Sequence, residues 1–162
     1  MKEDTVSQNS FREAMAAVAS SVCVLTTDGP SGRYGITVSS LCSVTDDPPT
    51  LLACINRKGI ANELFKNNKN ICVNVLNASQ ENIGMHYAKG HDYQQSFDKA
   101  IWNFPKELPP ELIKADAIFQ GTVASTVEHG THSVFFIQIT HIKYAHTPTG
   151  LVYFQRRFVP LS

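Results

Sequence analysis

Residues 34–55, YGITVSSLCSVTDDPPTLLACI, contain two β-prone runs separated by a strong chain break. The first run, 34–44, mixes β-branched, aromatic and small hydroxyl residues, which favours an extended strand. Two aspartates and two prolines at 46–49 interrupt it, because proline removes a backbone donor and restricts the chain. The second run, 50–55, is nearly continuously apolar, which predicts a strand buried on both faces. This stretch therefore indicates a fold rich in β-structure.

Further helices and strands are predicted on both sides of this stretch. Ser10 and Glu13 form a capping-box pattern, and Phe11, Met15 and Val18 follow on one face at helical spacing. The small residues within this helix lead us to expect that it lies close against a sheet. Short helices are expected over 60–65 and from about Ser79 to Ala88, and strands over 22–27, 70–76, 117–127, 133–144 and 151–158.

The order of these segments decides between architectures. A doubly wound parallel sheet would alternate strands with full helices, and this chain does not. An antiparallel barrel with a few covering helices fits better, so the predicted class is mainly β with peripheral helices. Strands of this length leave edges to protect in a small domain, which favours a homodimer.

Composition limits the size, the partners and the compartment of the protein. A chain of 162 residues predicts one domain over residues 1–162. Its 14 basic and 14 acidic residues balance, so no overall positive field favours a nucleic acid. The charged first residues do not resemble a signal peptide, and no apolar run reaches the ~20 residues that span a membrane. The four cysteines lie in apolar segments, as expected of buried free thiols: Cys23, Cys42, Cys54 and Cys72. We therefore predict a cytoplasmic protein.

Several familiar catalytic motifs are absent from the sequence. It has no glycine-rich dinucleotide fingerprint, no P-loop, no Cys-x-x-Cys pair and no Gly-x-Ser-x-Gly elbow. His129 and His132 stand three residues apart, but zinc needs three or four converging ligands and no third candidate lies nearby, so we predict no metal site. Because His132 opens an otherwise apolar strand, it is the strongest histidine candidate for a functional site.

Small hydroxyl residues in the first run form a candidate binding surface. Thr37, Ser39, Ser40 and Ser43 could offer hydroxyls and backbone amides to a flat polar ligand without blocking its approach. The alternative is that these side chains face water on a half-buried strand. Alternation alone does not separate the two interpretations.

Two cationic segments are candidates for binding an anion. Arg57 and Lys58 follow a predicted strand and precede a short helix, whose first amides can bind a phosphate. The alternative for this segment is a solvated loop. Arg156 and Arg157, close to Tyr153, could clamp a phosphate or stack on a ring, or could lie at a dimer interface or on the surface.

A series of motifs, in order along the chain, resembles the short-chain flavin reductases of two-component monooxygenases. Within that family, the likeness points to the reductases of 4-hydroxyphenylacetate hydroxylation and of pyrimidine utilisation. The motifs are FREAM (11–15), GIT (35–37), CSVTD (42–46), PPTLL (48–52), CIN (54–56), CVNVL (72–76), GTH (130–132), GLVYF (150–154) and RRF (156–158). They cover most of the chain outside residues 78–120.

The resemblance implies a fold, a reaction and a partner. The implied fold is a split β-barrel of the FMN-binding type with Greek-key topology, present as a homodimer. NADH or NADPH would give a hydride to FMN or FAD, and the reduced flavin would diffuse to a partner oxygenase such as an aromatic hydroxylase. A different FMN-dependent oxidase on the same fold and a non-catalytic flavin-binding module are the alternatives.

The resemblance also implies which residues form the site. His132 is the implied catalytic residue, near both the flavin and the nicotinamide. The hydroxyl of Ser40 is expected to donate to the flavin. The implied cofactor-binding residues are Thr37, Val38, Ser39, Ser40, Ser43, Val44, Cys54, Ile55, Asn56, Lys58, Gly59, His132, Tyr153 and Arg156.

Overall fold

The computed structural model describes residues 1, 3, 5–89 and 97–161. Within these ranges the helices are α1 (Gln8–Met15), α2 (Ile60–Asn68) and α3 (Glu81–Ala88). The strands are β1 (Ser20–Ser21), β2 (Cys23–Thr27), β3 (Tyr34–Val38), β4 (Cys42–Asp46), β5 (Pro49–Asn56), β6 (Asn70–Val75), β7 (Trp102–Asn103), β8 (Glu111–Leu112), β9 (Ala117–His129), β10 (His132–Tyr144), β11 (Leu151–Phe154) and β12 (Arg157–Pro160). The predicted class, mainly β with peripheral helices, is confirmed. None of the described helices is long and apolar enough to cross a membrane.

Among the described residues, seven strands form one antiparallel sheet in the order β3-β2-β6-β9-β10-β5-β4. Its centre is the long hairpin of β9 and β10, which are joined by a tight turn at Gly130 and Thr131. β10 also pairs with β5, so that His132 lies opposite Asn56. The start of β10 and the end of β5 therefore meet at one end of the sheet.

The strand β2 contributes side chains to two hydrophobic clusters. Cys23 and Leu25 belong to the cluster that contains Phe135, whereas Val24 belongs to the cluster that contains Trp102. Successive side chains of a strand point to opposite faces, so one strand can serve a core on each side of the sheet. This double role explains why every residue of β2 is buried.

The run 34–44, predicted as one strand, is divided in two. β3 and β4 lie at opposite edges of the seven-stranded sheet, and residues 39–41, here named the crossover, join them. In a flat sheet of seven strands the outer strands would lie roughly 29 Å apart, at about 4.8 Å for each of six gaps. The four Cα steps from Val38 to Cys42 reach about 14 Å at most. The sheet is therefore strongly curved, and its two edges approach each other at the crossover.

Ser40 fastens the crossover to β5. Its Oγ accepts a hydrogen bond from the Cys54 amide at 3.0 Å and donates one to the Cys54 carbonyl at 3.2 Å. Regular pairing between β4 and β5 stops at Leu52. A single side chain thus continues the hydrogen bonding of β5 past the point where its neighbouring strand ends.

The first helix begins earlier than predicted. Ser7 is its N-cap, since the Ser10 amide donates to Ser7 Oγ at 3.0 Å and the Ser7 amide donates to Ser10 Oγ at 2.8 Å. The capping box therefore joins Ser7 and Ser10, and the prediction of Ser10 with Glu13 is wrong. A serine side chain can accept a hydrogen bond from a backbone amide at the N-cap and also at the third helical position. The usual capping-box pattern requires a glutamate or glutamine at the third position, so it does not detect the pair of Ser7 and Ser10.

The prediction that this helix packs against a sheet is also wrong for the single chain. No residue of α1 is buried, and the side chains of Phe11 and Met15 are 63% and 47% exposed. Val18 lies beyond the end of the helix and is 49% exposed. The apolar face predicted from helical spacing therefore exists, but this chain does not cover it.

Burial differs from prediction in the second run and at two cysteines. β5 buries Ala53 and Ile55 but leaves its other residues partly or fully exposed, so it is not buried on both faces. Cys23 and Cys72 are buried free thiols as expected, whereas Cys54 is half-buried and Cys42 is exposed on the edge strand β4. An edge strand is covered on fewer sides than a central one, which accounts for this exposure.

Two segment ends also differ from prediction. The N-cap of α3 is Gln80, whereas Ser79 was the predicted cap. The predicted strand 151–158 turns at Gln155 and Arg156, whose φ angles are 48° and 62°, and forms β11 and β12. Two successive residues in the left-handed region allow a tight reversal of the chain.

Replacing Ser40 with alanine is expected to destabilise the fold, because both backbone groups of Cys54 lose their partner at the crossover. We expect a melting temperature lower by roughly 2 to 8 °C, from a loss of about 1–2 kcal/mol. Differential scanning calorimetry measures this change. Ser39→Ala is the matched control, since Ser39 is exposed and its hydroxyl has no protein partner in the described part of the chain. Equal melting temperatures for the two variants would contradict the role of Ser40.

Candidate active site

The candidate site is a recess of about 390 Å³ beside the crossover, here named the main recess. Its walls come from β3, the crossover, the end of β5, the starts of α2 and β10, and the end of α3. Small-molecule sites commonly measure roughly 300 to 1,000 Å³, so this volume suits a small ligand. The predicted site residues that line it are Thr37, Val38, Ser39, Ser40, Cys54, Ile55, Asn56, Gly59 and His132.

Two of the four predicted hydroxyl donors bind the protein itself. Thr37 Oγ1 donates to the carbonyl of Gly84 in α3 at 2.6 Å, and Ser40 Oγ donates to Cys54. A hydroxyl has one proton to donate, so neither group is a free donor. The crossover therefore presents Ser39 and its backbone to the main recess. Ser40 also lines the recess, but its hydroxyl is used in hydrogen bonds to Cys54.

The loop between β5 and α2 supplies backbone donors. Asn56 Oδ1 accepts a hydrogen bond from the Lys58 amide at 2.9 Å, which folds the loop into a tight turn. Gly59 is the N-cap of α2 and provides no side-chain cap, so the first amides of the helix lack that partner. A Cβ at Gly59 would meet nothing within 4 Å. Open space beside uncapped amides can receive the polar edge or the phosphate of a ligand.

The two cations of this loop lie outside the main recess. Arg57 Nε lies 2.8 Å from Glu128 Oε2, and the Arg57 amide donates to the Thr131 carbonyl at 2.9 Å. Lys58 lines a separate recess of about 500 Å³, together with Arg57 and Glu128. The structure therefore does not bring Lys58 to the other predicted site residues, and the expected anion site is bounded by backbone groups at the start of α2.

His132 lines the main recess at the start of β10, opposite Asn56. Its Nδ1 lies 2.9 Å from Thr131 Oγ1. This contact holds one ring nitrogen and leaves Nε2 for a ligand. His129 occupies the paired position on β9 but does not line the main recess.

The helix α3 provides a wall that the sequence patterns did not reveal. Tyr87 and Ala88 line the main recess. A Cβ at Gly35 would lie 3.1 Å from the ring of Tyr87, so the absence of a side chain there permits close packing. Burial raises the pKa of Tyr87 to about 12, so the phenol stays neutral even at a pH where an ordinary tyrosine ionises. Other lining residues not predicted are Tyr34, Ile36, Ile60 and Ala61.

Tyr153 and Arg156 line a second recess, of about 780 Å³, between α1 and the β11–β12 turn. Ser39 and Ser40 line both recesses, so the two adjoin at the crossover. The Arg156 guanidinium forms an ion pair with a carboxylate of α1. The predicted residues near the C-terminus thus lie beside the main recess rather than in it.

The second recess also contains a residue that the sequence patterns did not reveal. Arg12 of α1 lines it and has no ion-pair partner among the described residues. Arg12 belongs to the motif at 11–15, but no pattern in the sequence indicated that its side chain would line a recess.

Besides Lys58, two predicted site residues lie in neither the main recess nor the second recess. Ser43 and Val44 belong to the edge strand β4 and are exposed. They lie past the crossover, and the chain has by then moved to the other edge of the sheet. No group of three or more His, Cys, Asp or Glu side chains in the described ranges could hold a metal ion.

Comparison with known proteins identifies the family of this chain. A family model described as a flavin reductase like domain matches residues 15–162. The 4-hydroxyphenylacetate 3-monooxygenase reductase component of Pseudomonas aeruginosa is 42% identical over 153 residues, which are 93% of this chain and 90% of that protein. The FMN reductase (NADH) RutF of Escherichia coli O150:H5 is 40% identical over 153 residues, covering 94% of this chain and 93% of that protein.

Solved structures show the same fold. A Haemophilus somnus protein assigned as a flavin reductase superposes with a TM-score of 0.89 at 35% identity, covering 96% of this chain and 99% of that one. The styrene monooxygenase flavin reductase of Pseudomonas putida S12 superposes with a TM-score of 0.80 at 27% identity, covering 93% and 96%. The fold is that of a small flavin-reducing domain. The chain belongs to the flavin reductase-like family.

Proposed function

We propose that this protein is an NAD(P)H-dependent flavin reductase that reduces FMN or FAD and supplies the reduced flavin to an oxygenase component. The observation that carries the proposal is the main recess, which is lined by both His132 and the uncapped start of α2. The relatives support the same reaction, since one is named as an NADH-dependent FMN reductase and another as the reductase component of a monooxygenase.

The residues of the main recess fit a flavin. Val38 and Ile55 line the recess and belong to the hydrophobic cluster behind it, so part of the recess wall is apolar, which suits a flat ring. The space at Gly59 and the α2 amides suit the polar edge or the phosphate. A bound flavin accepts the hydride of NADH on its own ring, so the protein needs no nucleophile. This agrees with the absence of a nucleophile motif from the sequence.

The protein's part in the reaction is to orient the two reactants. His132 Nε2 can donate a hydrogen bond to the polar edge of the flavin or to the carboxamide of the nicotinamide. Thr131 holds the opposite ring nitrogen, which limits rotation of the imidazole. The second recess adjoins the first and exposes Arg12, which suits the anionic part of the nicotinamide nucleotide.

The finer architecture is part of the proposal. The crossover between the two sheet edges supports a split barrel with Greek-key topology, formed by one domain over residues 1–162. The exposed apolar residues Phe11 and Met15 and the exposed edge strand β4 support a homodimer. Buried free thiols support a cytoplasmic protein.

Anaerobic addition of NADH or NADPH to the purified protein with FMN or FAD is expected to bleach the flavin absorbance near 450 nm. All four cofactor pairings are measured, which also gives the cofactor preference. A protein that retains flavin tightly without bleaching is instead a flavin-binding module. Bleaching that occurs only with a further substrate, and with neither nicotinamide, indicates another flavin-dependent oxidase.

Replacing His132 with alanine is expected to slow flavin reduction roughly 10- to 100-fold, because one hydrogen bond to a charged or polarised group is lost. Stopped-flow absorbance measures the rate, and calorimetry verifies that the fold is kept. His129→Ala is the matched control, since His129 pairs with His132 on the hairpin but lies outside the main recess. If both variants reduce flavin at the wild-type rate, His132 is a packing residue.

The oligomeric state is expected to depend on the apolar face of α1. The purified chain should sediment as a dimer, and the double variant Phe11→Glu with Met15→Glu should sediment as a monomer, because two charges would be buried at the interface. Val127→Glu is the control, as Val127 is an exposed apolar residue on β9. A wild-type protein that is monomeric at micromolar concentration would rule out the dimer.

A further inference from the structure

Glu128 lies near the end of β9 and contacts three different elements with one carboxylate. Arg57 of the β5–α2 loop lies 2.8 Å from it, and Lys66 of α2 lies 2.6 Å from it. Ser133 of β10 donates to the same carboxylate, with its Oγ 2.9 Å from each oxygen. Hydrogen bonds from Lys66 and Ser133 hold the pKa of Glu128 below its ordinary value, so the side chain stays ionised to a lower pH than an ordinary glutamate.

A buried polar chain connects this carboxylate to the wall of the main recess. Ser133 is fully buried, and its Oγ accepts a hydrogen bond from Asn62 Nδ2 at 2.9 Å. Asn62 is 1% exposed, and its Nδ2 also lies 3.1 Å from the carbonyl of Ile55, which lines the recess. Buried polar groups of this kind keep their geometry because an unpaired partner is costly.

A second connection runs through the hairpin turn that precedes His132. Arg57 donates from its guanidinium to the Gly130 carbonyl at 3.2 Å and from its amide to the Thr131 carbonyl at 2.9 Å. Thr131 Oγ1 in turn contacts His132 Nδ1. Glu128 therefore holds Arg57 in place, and Arg57 in turn holds the hairpin turn. Through Thr131, this turn orients the imidazole of His132.

We propose that Glu128 is a positioning residue for His132, acting through Arg57 and Ser133 without itself touching a reactant. The role in catalysis rests on the proposed function. Its carboxylate lies outside the main recess, in the separate recess that it shares with Lys58.

Its effect on reaction rate should exceed its effect on stability. The Glu128 side chain is 42% exposed, and exposed ion pairs of this kind contribute little to the free energy of unfolding. A displacement of about 1 Å at the reacting groups, in contrast, can slow a reaction about 100-fold. If Glu128 had only a structural role, its replacement would lower the stability more than the reaction rate.

The test compares Glu128→Gln with Glu63→Gln, which removes a charge from an exposed residue of α2 lining the same separate recess. Glu128→Gln is expected to lower kcat about tenfold with a melting temperature close to that of the wild type. In the His132→Ala background, the same change should lower kcat less than about twofold, because the residue it positions is gone. Additive losses in the two backgrounds, or a wild-type kcat for Glu128→Gln, would overturn the proposal.

A second readout needs neither flavin nor turnover. In the carbon-proton NMR spectrum of the free protein, Glu128→Gln should shift or split the Cε1 resonance of His132, with His141 as the internal reference. Glu63→Gln should leave the His132 resonance in place. An unmoved resonance in Glu128→Gln overturns the proposal even if the protein proves to have no reductase activity, so that the two failures are distinguishable. Should Glu128→Gln fold poorly, Arg57→Met tests the same connection from its other end with the same expected results.

Discussion

The crossover constrains the whole sheet, because its three residues must join two strands that lie at opposite edges. Only a strongly curved sheet brings β3 and β4 within reach of so short a connection. Ser40 completes the join by bonding the backbone of Cys54 where regular pairing stops. The main recess opens where these edges meet, so the same constraint that curves the sheet also locates the site.

Charged side chains around the recesses are used mainly within the protein. Arg57 and Lys66 share Glu128, and Arg156 pairs with Glu13. The groups left facing a ligand are backbone amides at the start of α2, the imidazole of His132, and Arg12 in the adjoining recess. Directional donors of modest charge orient a ring without binding it through a strong field. This arrangement suits a reductase that releases its flavin after each reduction.

Most of the longer strands followed from sequence because their signals are local, whereas most residues of the main recess were implied only by the family resemblance. β-branched runs, turn residues and short motifs specify an element without reference to distant parts of the chain. The division of 34–44 could not be predicted in this way, since closure of the sheet decides where that run breaks. Treating the run as one strand placed Ser43 and Val44 in the site. Tyr87 and Arg12 were missed because their helices reach the recesses only through long-range packing.

The double role of β2 has a consequence for how the protein unfolds. Its alternate side chains form part of the clusters around Phe135 and around Trp102, so neither cluster can lose this strand alone. The two hydrophobic regions are therefore coupled through one backbone segment, and heat should melt them together in a single all-or-none transition rather than in two stages.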